Sequence, residues 1–287
     1  MRDDFAIFIL THGRANSVRT VKALAEFKYT GRWYIVIDDE DAQGDTYRAR
    51  YGERVIEFSK SEVATQFDIG DNLAGRGVVV FARNACWELA QRVGVRYFMQ
   101  MDDDYNGFYI RFNSAKEYGT HRAECLDGAL SAMIDYLASV PALSIAMSQG
   151  GDHIGGAERL NMQKRKAMNT FLCDVERPFP FFGRLNEDTS AYVELGRKGK
   201  LFLTIPSIQV NQAATQSQAG GLTEAYLDAG TYVKSFYSVM YTPSVVKVGI
   251  LFDGRSNVEP RIHHKINWRA TTAQILPELF RKPDIAA

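Results

Sequence analysis

The sequence predicts an α/β protein, a single domain built on one mainly parallel central sheet flanked by helices. Three observations predict it. Short apolar runs, FAIFILT at 5–11, WYIVIDD at 33–39 and RYFMQMDDD at 96–104, have the length and composition of buried strands. Stretches with apolar residues at helical spacing lie between them, and strands that alternate with helices form mainly parallel sheets. Each run also closes on polar or acidic residues, THGR at 11–14, DDED at 38–41 and DDD at 102–104. In such sheets ligands sit at the carboxyl ends of the strands.

Taken in order, the first strand ends at Gly13, and VRTVKALAEF (18–27) follows as a helix with Asn16 or Ser17 available as N-cap. WYIVIDD is the second strand, residues 81–93 are helical, and RYFMQMDDD is the third. RAECLDGALSAMIDYLASV (122–140) gathers Leu126, Ala129, Leu130, Met133, Ile134 and Leu137 on one helix face before the strand LSIAM. Gly-rich SQGGDHIGG and basic RLNMQKRK make 148–169 an exposed, mobile loop ahead of the strand NTFLCDV. NEDTSAYVELGRKGK reads as a capped helix ending near Gly196 or Gly199, and LFLTI as a strand. Residues 210–222 lack periodicity and read as a flexible loop. A helix from about Thr223, a strand near 244–250 and a polar tail containing His and Arg complete the chain. Neither an internal repeat nor a linker divides it.

Lys and Arg number 34 against 34 Asp and Glu, so no global field recruits nucleic acid or an acidic membrane, and any such contact must come from local patches. Cys86, Cys125 and Cys173 show no C-x-x-C spacing and read as buried thiols of a reducing compartment. Arg2, Asp3 and Asp4 precede one short apolar run, too brief and too charged for a signal peptide or membrane span, so a cytoplasmic protein is expected. THGRANS after the first strand is not G-x-G-x-x-G, and no Walker sequence occurs, which removes both nucleotide-binding classes.

Three consecutive aspartates after an apolar run invite two readings. One is a solvated turn. In the other, alternate residues of an extended chain face the same way, so Asp102 and Asp104 project together and Asp103 oppositely. Paired carboxylates need a counter-charge, and Mg2+ or Mn2+ supplies it through oxygen ligands shared with substrate phosphates.

With FILTHGR, VIDDED, ARNACWELA, QMDDDY and NEDTSAYVELGRKG in this order, most of residues 5–205 resembles the GT-A-fold, nucleotide-sugar-dependent glycosyltransferases, whose sheet is Rossmann-like. The resemblance implies a nucleotide-binding half at 1–110 and an acceptor-binding half with a C-terminal tail at 111–287. It places Thr11, Gly13, Arg14 and Asp38 at the nucleoside, with Asp103 among the nucleotide-binding residues. Arg83 and Asn84 approach the sugar-phosphate. Asp102 and Asp104 hold Mn2+ or Mg2+, and His263 or His264 adds a metal or phosphate ligand. Asp188 or Glu187 is the catalytic base, Asp188 first because it matches the family's second acidic position. The donor is a nucleotide-sugar, UDP-sugar by first choice, and inversion is favoured because a base is present while a double-displacement nucleophile is not obvious. His12 reads as structural, Asp39, Glu40 and Asp41 as solvated, and PFPFFG at 178–183 as mostly core.

THGRANSVRT, MDDDY and HHKINWR look like the bacteriophage branch that glycosylates 5-hydroxymethylpyrimidines in DNA, similar to the base J glucosyltransferase of kinetoplastids; such an enzyme works in the host cytoplasm. Arg159, Lys164, Arg165 and Lys166, and in the tail Arg255, Arg261, Lys265 and Arg269, are clusters able to follow a phosphate backbone. The same transfer to a small molecule, protein or glycan is the alternative, and a non-catalytic nucleotide-sugar or DNA-binding module is a third reading. No obligatory protein partner is implied.

Overall fold

The computed structural model describes residues 1–73, 75–165, 170–212, 233–251, 261–273 and 275. Nine strands form one sheet: β1 (Phe5–Leu10), β2 (Arg32–Asp38), β3 (Val55–Phe58), β4 (Tyr97–Asp102), β5 (Tyr105–Phe112), β6 (Tyr118–Arg122), β7 (Ala142–Ser148), β8 (Phe171–Asp174) and β9 (Leu201–Gln212). Their order is β3-β2-β1-β4-β8-β7-β9-β5-β6. The block β3-β2-β1-β4 is parallel. β8 opposes both β4 and β7, β9 runs with β7, β5 opposes β9, and β6 opposes β5. Every strand except β5 and β8 thus points the same way, as the alternating pattern predicts. A separate antiparallel hairpin pairs β10 (Val246–Leu251) with β11 (Arg261–Ile266).

The helices are α1 (Arg19–Glu26), α2 (Gly44–Tyr51), α3 (Lys60–Val63), α4 (Val80–Arg92), α5 (Leu126–Ser139), α6 (Glu187–Arg197), α7 (Val233–Tyr241) and α8 (Trp268–Thr271). All six residues of β1 are buried, as a strand covered on both faces requires. Its side chains alternate between two cores. Phe5, Ile7 and Ile9 pack with Leu24, Leu130 and Met133 of α1 and α5; Ala6, Phe8 and Leu10 pack with Val80, Phe81 and Leu89 of α4.

Several local expectations need correction. Val18 caps α1, not Asn16 or Ser17. Thr20 instead staples the acidic turn: its hydroxyl donates to the Asp102 carbonyl at 2.6 Å and accepts from the Tyr105 amide at 3.0 Å. The aspartates therefore form a tight turn into β5, which with β6 makes a hairpin that the residue pattern did not announce. β3 and α2 were equally silent, because α2 buries only Gly44 and Tyr47 and shows no apolar stripe. The described part of 148–169 is not a plain loop, since it holds 3₁₀ turns at Gly150–His153 and Ala157–Arg159, the first closed by reciprocal Gln149–Asp152 bonds. β9 continues past residue 205 to Gln212. Cys125 is exposed, while Cys86 and Cys173 are buried. The expected loop over 213–222, the start of a helix near Thr223, Lys166 and Arg255 lie outside the described residues. Among the described residues no helix is long and apolar enough to cross a membrane.

Candidate active site

The three polar strand tips stand side by side, with Leu10 of β1 opposite Val36 of β2 and Asp102 of β4. At the β1 tip Gly13 adopts φ +67°, a left-handed conformation that glycine takes without steric cost. Its amide donates to Asp41 Oδ2 at 2.8 Å, and its carbonyl accepts from Gln43 Nε2 at 2.8 Å. Asp41 is thus a buried anchor, not the solvated acid expected, whereas Asp39 and Glu40 are exposed. Asp103 faces the same loop: Thr11 Oγ1 donates to its Oδ2 at 2.6 Å and Arg14 Nη1 pairs with its Oδ1 at 3.0 Å. Tyr47 closes the ring, with its hydroxyl 2.9 Å from Thr11 Oγ1 and accepting from the Arg14 amide at 2.8 Å. Thr11, Arg14 and Asp103 hold one another in place.

β2 ends on Asp38, which is 5 % exposed. Lys60 Nζ lies 2.7 Å from one oxygen and His12 Nδ1 2.8 Å from the other. The Asp38 carboxylate, expected at the nucleoside, is buried with both oxygens engaged by Lys60 and His12. His12, with 35 % of its side chain exposed, is what this tip shows to solvent. Lys60 escaped the sequence reading because nothing near residue 60 signals a buried ammonium, which needs a carboxylate partner when desolvated.

Hydrogen bonding to Asp38 raises the His12 pKa above the ordinary histidine value. Burial pushes Asp38 up, but His12 and Lys60 outweigh it and hold the carboxyl below the usual range. A raised folded-state histidine pKa gives stability that is complete below the unfolded value, about 6.5, and is lost as pH rises through the folded value. The stability deficit of His12→Gln should therefore shrink as pH rises from about 6.5 through the raised folded-state value. Urea midpoints across that range measure it, and a constant deficit would contradict the pairing.

Arg83, on α4, is 1 % exposed and packs against the rings of Phe171 and Phe181, 5.2 and 5.7 Å from their centroids. Its Nε donates to Glu187 Oε1 at 2.8 Å, Nη1 to Gln100 Oε1 at 3.3 Å and Nη2 to Asp102 Oδ1 at 3.3 Å. Arg83, expected near the sugar-phosphate, is here a buried cation joining two acids from β4 and α6. Asn84, expected beside it, clamps the chain at Phe181: Nδ2 donates to the Phe181 carbonyl at 2.8 Å and Oδ1 accepts from the Phe181 amide at 2.9 Å, which seats Phe179 and Phe181 in the core.

Asn186 starts α6 in the left-handed region, φ 61° and ψ 29°, which asparagine tolerates better than most residues. Its Nδ2 donates to Ser238 Oγ at 2.8 Å and lies 2.9 Å from His264 Nδ1. Glu187 and Asp188 occupy the first turn, where the helix dipole favours acids. Both are buried. Glu187 is committed to Arg83. Asp188 Oδ1 accepts from the Thr189 amide at 2.6 Å, and Oδ2 accepts no hydrogen bond from a described residue.

His264 supports the Asn186 cap, and His263 Nδ1 lies 2.9 Å from the His264 carbonyl. Among the described residues no three His, Cys, Asp or Glu side chains cluster as a ready-made metal centre. Asp102 and Asp104 nevertheless suit one. Burial pushes Asp102 up to about 8, with Asp104, Asp103 and Glu187 adding repulsion against the pull of Arg83. Burial and Asp103 likewise raise Asp104. Asp104 Oδ1 is buried without a hydrogen-bond partner, a condition a carboxylate leaves by gaining a donor or a cation. Two such acids fit a hard cation that takes its other ligands from a diphosphate.

Among the basic residues, Arg159, Lys164, Lys265 and Arg269 are exposed, whereas Arg165 is half-buried and pairs with Asp152 at 3.1 Å.

No curated protein matches the chain. Among solved structures it is similar to a mycobacterial protein, at 11% identity and a TM-score of 0.47 over 92% of this chain and 84% of that one. It is also similar to glucosyl-3-phosphoglycerate synthase from Mycobacterium tuberculosis in complex with Mn2+, uridine diphosphate and phosphoglyceric acid, at 11% identity and a TM-score of 0.43 over 92% and 87% of the two chains. The sequence profile of the TET-Associated Glycosyltransferases matches residues 5–221, and the chain belongs to that family.

Proposed function

We propose that the protein transfers a sugar, with inversion, from a nucleotide-sugar donor to the hydroxymethyl group of a modified pyrimidine in DNA, and that Mn2+ or Mg2+ assists. UDP-sugar is the first-choice donor, and the site of action is the cytoplasm, a host's if the protein is a bacteriophage's. Membership of a glycosyltransferase family supports the reaction class. The observation that carries the reading is the Asp104 oxygen, buried without a donor beside Asp102, in a network that passes through Arg83 to the α6 turn.

Expulsion of a nucleoside diphosphate builds charge on the leaving oxygen. A cation held by Asp102 and Asp104 would supply electrostatic stabilisation for that charge. Asp188 takes the proton of the attacking hydroxyl at its open oxygen. Arg83 holds Glu187 and Asp102 in register without touching substrate. Asp103, Thr11 and Arg14 shape the loop on which the nucleotide lies, with Gly13 and His12 at its surface.

Purified protein with Mn2+, a panel of sugar nucleotides and hydroxymethyl-containing DNA tests the reading. DNA mass should rise by one sugar with at least one donor. Donor hydrolysis without any gain in DNA mass removes the DNA acceptor and leaves the small-molecule, protein or glycan alternative; no hydrolysis of any donor removes the enzyme. Asp188→Asn should lower kcat by about 10²- to 10⁴-fold with the donor KM unchanged. A KM effect alone would assign Asp188 to binding.

A further inference from the structure

A second polar cluster lies along the β5, β6 and β9 edge, and the chemistry above does not use it. Ser148 Oγ donates to the Ile208 carbonyl at 2.8 Å, so it accepts at its 2.9 Å contact with His153 Nε2. His153 Nδ1 lies 3.0 Å from the Tyr118 hydroxyl, whose oxygen accepts from Arg111 Nη2 at 2.8 Å. Burial and the nearby Arg111 and Arg165, against Asp152, shift the His153 pKa below the ordinary value.

The charges do not cancel. Arg111 has no carboxylate partner among the described residues; its Nη1 donates to Thr120 Oγ1 and to Gln209 Oε1. Arg165 pairs with Asp152, the residue before His153. Two guanidinium groups and one carboxylate thus act on His153. Among the described residues, the Nε of Arg111 and the Nε of Arg165 are both buried without an acceptor. Buried donors of this kind are costly, and a tetrahedral oxyanion satisfies several guanidinium donors at once. β9 links the cluster to the β4 tip: Gln209 lies three residues before Gln212, roughly 10 Å along a strand. Gln212 bonds to Asp104 and accepts from Gln149 Nε2 at 3.3 Å.

We propose that Arg111 and Arg165, braced by Tyr118, His153 and Asp152, bind a phosphate group, and that its source is a phosphodiester of the acceptor strand close to the modified base. The source rests on the DNA reading above; the phosphate site does not.

Two measurements on the full chain test this. The first is the melting temperature in inorganic phosphate against chloride at matched ionic strength. The second is the affinity, by fluorescence anisotropy, for a short duplex containing 5-hydroxymethylcytosine across a salt series. Phosphate should raise the wild-type Tm and have no effect on Arg111→Gln. The same substitution should weaken duplex binding about tenfold and reduce the slope of log K against log salt by about one. Arg111→Lys should keep the slope yet lose affinity, because an ammonium lacks the planar fork. A phosphate response confined to the wild type, with no duplex binding by either protein, upholds the site, assigns it to a small phosphate and removes the DNA acceptor. Equal phosphate responses and equal salt slopes in wild type and variant overturn the proposal. If Arg111→Gln does not fold, Arg165→Gln carries the same pair of readouts.

Discussion

Asp104→Asn is expected to lower sugar transfer by about 10²- to 10³-fold while leaving the protein at least as stable as the wild type. Activity and stability separate here because the side chain's bond to Gln212 is one an amide can also make. Its Oδ1 is buried with no hydrogen-bond partner among the described residues, and burial together with Asp103 disfavours its charge. An amide of the same shape removes that charge, and with it the repulsion among residues 102–104, without emptying the space. The same change deprives a cation of a ligand, so the Mn2+-induced rise in melting temperature should also disappear. Transfer assays and thermal melts with and without Mn2+ measure both halves. Undiminished transfer, or a collapse in stability, would show that Asp104 serves the fold and not the chemistry.

Arg83→Met should cost about 3–5 kcal/mol of stability, because it leaves Glu187 and Asp102 desolvated without their shared counter-ion. Methionine keeps an apolar stem against Phe171 and Phe181, so the loss reports on charge and hydrogen bonding more than on packing. Arg83→Lys should recover little, since one ammonium cannot reproduce a planar fork that reaches Glu187, Gln100 and Asp102 together. Adding Glu187→Gln to Arg83→Met should restore part of the loss, because the orphaned charge is then gone. Wild type, Arg83→Met, Glu187→Gln alone and the double variant form a double-mutant cycle read by urea denaturation. A loss below about 1 kcal/mol for Arg83→Met would mean that solvent reaches the pair.

How much was visible beforehand follows from the range of the interaction involved. The β1, β2 and β4 strands and the α4, α5 and α6 helices were readable because periodicity and capping are set within a few residues. The β5 and β6 hairpin was not, because the aspartates that open it look the same whether they end the sheet or turn back into it. That choice is made by Thr20, 85 residues from the Tyr105 amide it accepts from. Acidic pairs at a strand tip and at a helix start were likewise visible as local patterns.

What the sequence alone determined, then, is the layered α/β plan and the edge of the sheet on which the acids gather. Only the tertiary structure decided the fate of each acid: Asp38 is sealed by Lys60 and His12, Asp103 is spent on Thr11 and Arg14, Glu187 is bound to an arginine 104 residues away, and Asp104 and Asp188 each keep an oxygen without a protein donor. The physical reason is that a carboxylate's position along the chain is a local property, whereas its freedom to meet a ligand depends on which distant donors the folded chain packs against it.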